Sequence, residues 1–217
     1  MPVIYTRLIN PKTKLIVWHC TEDADLIYSQ LDLVQEDEAI YATIRNQNRK
    51  LQWLACRMAL SHLMQTKAIG IRYDEHGKPF LISGEAEISF SHTGKYGAAI
   101  CSTNSAVGID LEQVREKISR VEERFLSPDE LTMASGEDRM KKLTLFWAVK
   151  EALYKINGKP DLDMQHDICI ESFDYLCRTD GELTARMKML GRRIEIPVFY
   201  HMLDDAILAW ATISEKI

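Results

Sequence analysis

Two stretches of the chain carry side chains whose types and spacing could do chemistry. The first is VGIDLEQV, residues 107–114, where Asp110 and Glu112 stand two apart in a strand-like run. Side chains two apart on a strand leave the same face. The two carboxylates therefore repel each other unless a cation lies between them, and oxygen-only donors of this kind suit Mg²⁺ better than zinc. Solvated carboxylates at a sheet edge account for the same pattern, and D-x-E alone does not choose between the two. The second stretch is FWAVKEALYK, residues 146–155. On a helix, Trp147, Glu151 and Lys155 fall at i, i+4 and i+8 as one stripe, while Leu145, Val149, Ala152 and Ile156 form an apolar one. Glu151 and Lys155 are either a surface ion pair worth about 0.3 kcal/mol, or a third metal ligand beside a cation that neutralises phosphate.

Smaller signals lie elsewhere. HGKP, residues 76–79, reads as a turn carrying a lysine, and SFSHTG, residues 89–94, ends a strand with Ser91 and His92 close to a glycine. A single histidine such as His92 is more often structural, and Ser-His adjacency does not make a nucleophile pair. Arg45 and Arg49 stand four apart in a helical pattern, with Lys50 and Arg57 nearby, which also describes an ordinary solvated basic face. The chain has no G-x-S-x-G, Walker loop, dinucleotide fingerprint or H-E-x-x-H.

The elements that must position these groups follow from periodicity. Val3 to Ile9 and Lys14 to Cys20 predict a hairpin across Asn10-Pro11. After an acidic segment, one long helix is predicted from about Asp37 to Thr66, with Leu51, Leu54, Ala55 and Met58 as its buried face. Short strands follow: Ile88 to His92 pairs with Gly97 to Cys101 across Gly94, and Val107 to Glu112 comes after the turn at Asn104-Ser105. A second helical region starts near Ser119. Ser127-Pro128 restarts a short helix, and a longer one runs from about Asp138 to Ile156, stopped by Asn157-Gly158. Four strands close the chain: Ile168 to Phe173, Leu183 to Met189, Arg193 to His201 and Ala206 to Ile213. The last is apolar enough to be buried on both faces. This order predicts an α/β (α+β) fold of two similar halves, residues 1–103 and 104–217, packed as one unit. No letter-by-letter repeat and no Pro/Gly/Ser-rich linker is visible.

Composition bounds the rest. The chain has 217 residues, 46% hydrophobic and 27% charged, with a net charge of −5. That is a globular composition, and it argues against nucleic-acid binding through a basic surface. The N-terminus lacks the pattern of a signal peptide, and no apolar run reaches the roughly 18 residues needed to span a bilayer. Cys20, Cys56, Cys101, Cys169 and Cys177 are an odd set without CxxC spacing, expected to be reduced thiols of a cytoplasmic protein without a membrane partner.

Taken together and in order, Arg49, GKP, SHT, VGIDLE and WAVKEALYK resemble the 4′-phosphopantetheinyl transferase family. The likeness is to its long single-chain, Sfp-like branch rather than to the short homotrimeric acyl-carrier-protein synthases. It covers about Arg45 to Lys159, and RFLSPDE at 124–130 also fits. The resemblance implies a pseudo-dimer with coenzyme A in the cleft between its halves. It also implies Mg²⁺-dependent transfer of phosphopantetheine from coenzyme A to a serine of an apo acyl or peptidyl carrier protein, with release of adenosine 3′,5′-bisphosphate. By the family pattern Asp110, Glu112 and Glu151 would be the metal ligands. Glu151 would also be the base, directly or through a bound water, and Lys155 would lie against the pyrophosphate. Gly77, Lys78 and Pro79 would wall the adenine, and Ser91, His92 and Arg49 would bind coenzyme A phosphates, with Arg57 a weaker candidate. The carrier would dock after Glu112 and after Lys155, and the chain would act as a monomer.

Two positions depart from the family pattern. Ala148 stands where many relatives have a small hydroxyl residue. Residues 15–44 contain no lysine or arginine but seven acids, Glu22, Asp23, Asp25, Asp32, Glu36, Asp37 and Glu38, so phosphate binding must fall to Arg45, Arg49, Lys50 and His92. The competing readings are a non-catalytic module that binds coenzyme A or a carrier protein, and a metal-dependent phosphodiesterase. The intact set Asp110, Glu112, Glu151 and Lys155 argues against the first.

Overall fold

A tight turn at Pro11-Lys12 lets β1 (Val3–Asn10) fold back on β2 (Thr13–His19) as an antiparallel hairpin, Arg7 facing Leu15. These elements come from a computed structural model that describes residues 3–173, 175 and 179–214. The acidic segment holds α1 (Ala24–Tyr28), capped by Asp23, and β3 (Asp32–Leu33). Then come α2 (Gln35–Thr43) and α3 (Gln47–Met64). The sequence predicts one helix here, and two are found. Ile44 is extended, and the Asn46 side chain accepts the N–H of Arg49 at 3.0 Å, a cap that starts a new helix. Arg45 thus falls in the break and shares no helix face with Arg49.

Beyond α3 lie β4 (Ala68–Ile69), paired in parallel with β3, and the small hairpin β5 (Ile71–Tyr73) with β6 (Pro79–Leu81). β7 (Glu87–Thr93) and β8 (Tyr96–Ser102) then pair across Gly94, as their alternation predicts. The sheet of this first unit, which runs to Val107, has the order β1-β2-β8-β7. Helix α3 packs on β8, β2 and β7. Leu54, Ala55 and Met58 are buried as predicted, and Leu51 is half-buried.

The second unit, Gly108–Ile213, opens within β9 (Ala106–Gln113). The helical region near Ser119 is two 3₁₀ turns, Glu116–Arg120 and Glu122–Arg124. α4 (Pro128–Met133) begins with a capping box between Ser127 and Glu130, and α5 (Arg139–Asn157) ends on Gly158 in the left-handed region. β10 (Ile168–Ile170) stops short of the predicted Phe173. β11 (Asp180–Met189), β12 (Arg192–Met202) and β13 (Ala206–Ile213) complete a sheet ordered β10-β11-β12-β13-β9. Residues 206–211 of β13 are all buried, and α5 packs against this strand. So each unit pairs a mainly antiparallel sheet with one long helix, the α/β class the sequence predicts.

Each long helix is anchored by a buried ion pair. In the second unit Lys150 is fully buried; its Nζ donates to Glu130 Oε2 at 2.7 Å and to the carbonyls of Phe125 and Met164, each at 2.8 Å. Glu130 in turn accepts the N–H of Ser127 and that of Ile170, each at 2.8 Å. Burial pulls the Lys150 ammonium below its ordinary range, and Glu130 opposes that pull. In the first unit the guanidinium of Arg57, itself buried, grips Asp37 through Nε at 3.2 Å and through Nη2, and lies over the Trp53 ring. Cys20, Cys56 and Cys101 are buried thiols, Cys169 is half-buried, and Cys177 lies outside the described residues.

Removing one partner leaves the other charge buried alone, which costs about 3–5 kcal/mol. Lys150→Met and Arg57→Met should each lose that much in urea unfolding. Losses under about 1 kcal/mol would show that the pairs carry no stability of their own.

Candidate active site

The acids of the second unit lie on a strand and a helix that touch at backbone level. A Cβ placed on Gly108 would stand 1.9 Å from the carbonyl oxygen of Ala152, so only glycine lets β9 and α5 approach this closely. Two residues after Gly108 is Asp110, and one before Ala152 is Glu151. Asp110 is 5% exposed, and its Oδ1 accepts from Lys155 Nζ at 2.7 Å; the same ammonium donates to the Ile109 carbonyl at 2.9 Å. Lys155 thus reaches across from α5 to β9, where the sequence also allowed a surface pair with Glu151. Glu112, half-buried, has Lys117 Nζ at 3.7 Å.

The electrostatics report crowding of like charge. Burial, then the charges of Asp110 and Glu112, push the Glu151 carboxyl from its ordinary 4.5 up to about 7, against the opposing pull of Lys155. Glu112 is raised as well, by burial and then by Asp110, with Lys117 and Arg115 opposing. Among the described residues no three His, Cys, Asp or Glu side chains are grouped closely enough to hold a metal ion. The chemistry of the donor set nonetheless fits one. Asp110, Glu112 and Glu151 offer hard carboxylate oxygens, and their mutual repulsion is what a divalent cation such as Mg²⁺ relieves.

In the first unit, Arg49 and His92 stand together, Arg49 Nη1 lying 2.7 Å from His92 Nε2. Arg49 is exposed at the start of α3, and His92 is half-buried near the end of β7. Ser91 is buried, with its carbonyl accepting from the Cys56 thiol at 3.4 Å. Gly77, Lys78 and Pro79 lie at the β5–β6 turn, with Gly77 at φ +83°. Arg57 is corrected: its guanidinium is buried against Asp37 and Trp53 and is not offered to a phosphate. Sequence reasoning missed Lys150, which adjoins Glu151 and fixes the rotation of α5. The available signal was the S-P-D-E capping box, which puts an acid at Glu130 with no visible partner.

In the second unit an acidic strand and a helix supplying a further acid and a lysine suit charge-assisted chemistry on phosphates; the first unit, by itself, carries the arginine–histidine pair. The model of the 4′-phosphopantetheinyl transferase superfamily matches residues 106–210, the stretch that holds Asp110, Glu112, Glu151 and Lys155. A Synechocystis protein provisionally named a 4′-phosphopantetheinyl transferase is 29% identical over 66% of this chain and 64% of its own length. The 4′-phosphopantetheinyl transferase Sfp of Bacillus subtilis is 26% identical, covering 60% of this chain and 58% of its own length. The transferase AcpT of Salmonella typhi is 29% identical over 60% of this chain and 70% of its own. The chain thus spans under two thirds of the length of the first two relatives. Among the described residues no helix is long and apolar enough to cross a membrane.

The raised carboxyl of Glu151 makes stability depend on pH. Between its ordinary 4.5 and its folded value of about 7, the native state keeps a proton that the unfolded state loses. Its contribution is complete below 4.5 and disappears as pH rises through about 7, at up to about 1.4 kcal/mol per pH unit. Urea unfolding in a chelator at pH 5, 6 and 7 should therefore show wild-type stability falling relative to Glu151→Gln. Parallel curves for the two proteins would contradict the burial of this charge.

Proposed function

We propose that the protein transfers the 4′-phosphopantetheine group of coenzyme A to a serine hydroxyl of an apo acyl or peptidyl carrier protein. Adenosine 3′,5′-bisphosphate is the leaving group. The observation that carries this reading is the contact of Lys155 with Asp110 and the charge influence of Asp110 and Glu112 on Glu151, across β9 and α5 and inside the segment that matches the family. In this reading the protein acts in the cytoplasm as a monomer.

Asp110, Glu112 and Glu151 would hold Mg²⁺, which when bound supplies positive charge to the phosphoryl oxygens and the departing phosphate. Glu151 takes the proton of the serine hydroxyl directly or through a water. The serine oxygen attacks the phosphorus that bears the pantetheine arm. The P–O bond to the adenosine-side phosphate breaks, and its electron pair leaves with the bisphosphate. Lys155, one turn from Glu151, offers its ammonium to the charge that builds on the pyrophosphate. Arg49, steadied by His92, grips the 3′-phosphate, and Ser91, next to His92 in sequence, binds coenzyme A phosphate with them. Gly77, Lys78 and Pro79 line the adenine. The carrier docks against the segments following Glu112 and Lys155.

Incubation with coenzyme A, Mg²⁺ and an apo carrier protein, followed by intact mass, tests the reading. A mass gain on the carrier is expected. Nucleotide release without that gain would make the protein a hydrolase, and no reaction would make it a binding module. Lys155→Met should slow transfer by about 10²–10³, whereas an idle surface lysine would leave turnover unchanged.

Arg49 yields a separate expectation. Arg49→Ala should shrink the preference for coenzyme A over 3′-dephospho-coenzyme A at least about tenfold, since a charge-assisted contact is worth roughly 1.5–3 kcal/mol. Equal weakening of both ligands, read by calorimetry, would move the 3′-phosphate elsewhere.

A further inference from the structure

The turn joining β5 to β6 is built around one carboxylate that the proposed chemistry does not use. Asp74, Glu75, His76 and Gly77 are all exposed, so packing does not hold this loop in shape. Hydrogen bonds to one residue do. Asp74 Oδ1 accepts the backbone N–H of His76 at 2.9 Å and that of Lys78 at 2.8 Å. The Asp74 backbone N–H donates to the Lys78 carbonyl at 3.0 Å, and the Asp74 carbonyl accepts from Gly77 at 3.0 Å. Gly77 sits at φ +83° with open space around it, so the backbone shape rather than crowding demands glycine there. The N–H groups of Lys78 and His76 hold the Asp74 carboxyl below the usual carboxylate range, so it is ionised and accepting at neutral pH.

We propose that Asp74 is a positioning residue that fixes the Gly77-Lys78-Pro79 backbone in the form that receives the nucleotide, and so sets coenzyme A affinity without taking part in the transfer. This rests on the function proposed above, which takes that loop as the wall beside the base. Exposed loops of this kind are ordinarily mobile, and a loop that must become ordered on binding weakens its ligand. With Asp74 in place that ordering precedes binding. Asparagine keeps the accepting Oδ1 and alanine removes it, so the two substitutions separate the acceptor from the mere presence of a side chain.

The test is calorimetric titration of coenzyme A, with Mg²⁺ present, into the full chain and its Asp74→Ala and Asp74→Asn variants. Steady-state rates and amide hydrogen exchange at His76 and Lys78 are read alongside. Asp74→Ala should bind about 5–30-fold more weakly, with kcat within about twofold at saturating coenzyme A and faster exchange at both amides. Asp74→Asn should stay within about threefold of wild type, because the acceptor survives. Alanine-variant binding equal to wild type overturns the inference, whether or not the melting temperature falls. So does a loss confined to kcat. A wild-type protein that does not bind coenzyme A overturns the proposed function itself, a result distinct from either.

Discussion

A lysine ammonium sealed from water cannot be left half satisfied, and Lys150 is the constraint on which the second unit depends. Its three donors are taken by the Phe125 carbonyl and Glu130, which precede α5 in the chain, and by the Met164 carbonyl, which follows it. Glu130 closes the network by accepting from Ser127 at the start of α4 and from Ile170 on β10. One charge thus pins the helix against two loops, a second helix and a strand. Because Lys150 faces inward, Glu151 one position on must turn towards the rim and Lys155 one turn later must reach β9. The placement of the acid–lysine pair is set from behind.

The first unit uses the same device. Asp37 and Arg57 are twenty residues apart, as are Glu130 and Lys150. In each case the acid is the third residue of the short helix and the cation lies on the long one. The letters differ entirely, Asp with Arg in one unit and Glu with Lys in the other. What recurs is a charge relation at fixed separation, which a residue-by-residue comparison does not register.

That recurrence shows where the sequence is legible and where it is not. The β7–β8 and β1–β2 hairpins could be read because alternation and turn residues are local signals, and α5 because its apolar stripe and Gly158 stop agree. The break between α2 and α3 could not, since Asn46 looks like any polar residue inside a helical pattern until its side chain caps Arg49. The 3₁₀ turns over 116–124 are too short to establish a period. Arg57 and Lys150 are hidden for another reason: a cation in a helix reads as solvated, and only its distant partner shows it to be internal. Asp110, Glu112 and Glu151 could be singled out because acids beside apolar stripes are conspicuous. The reach of Lys155 to the Ile109 carbonyl depends on how near a strand lies to a helix, which spacing along one chain does not encode.

That nearness is a matter of backbone, and here the contact at Gly108 acts as a ruler. Since the β9 glycine rests against the Ala152 carbonyl, the gap between Asp110 and Glu151 is graduated by main-chain atoms, which have no rotamers to exchange. Side chains around the acids can change identity while the interval persists. A single added methyl at Gly108 would instead recalibrate it, pushing the two carboxylates apart without touching either. Spacing and composition at this site are thus separate variables, encoded at different positions, and a protein engineer could tune one while leaving the other as it stands.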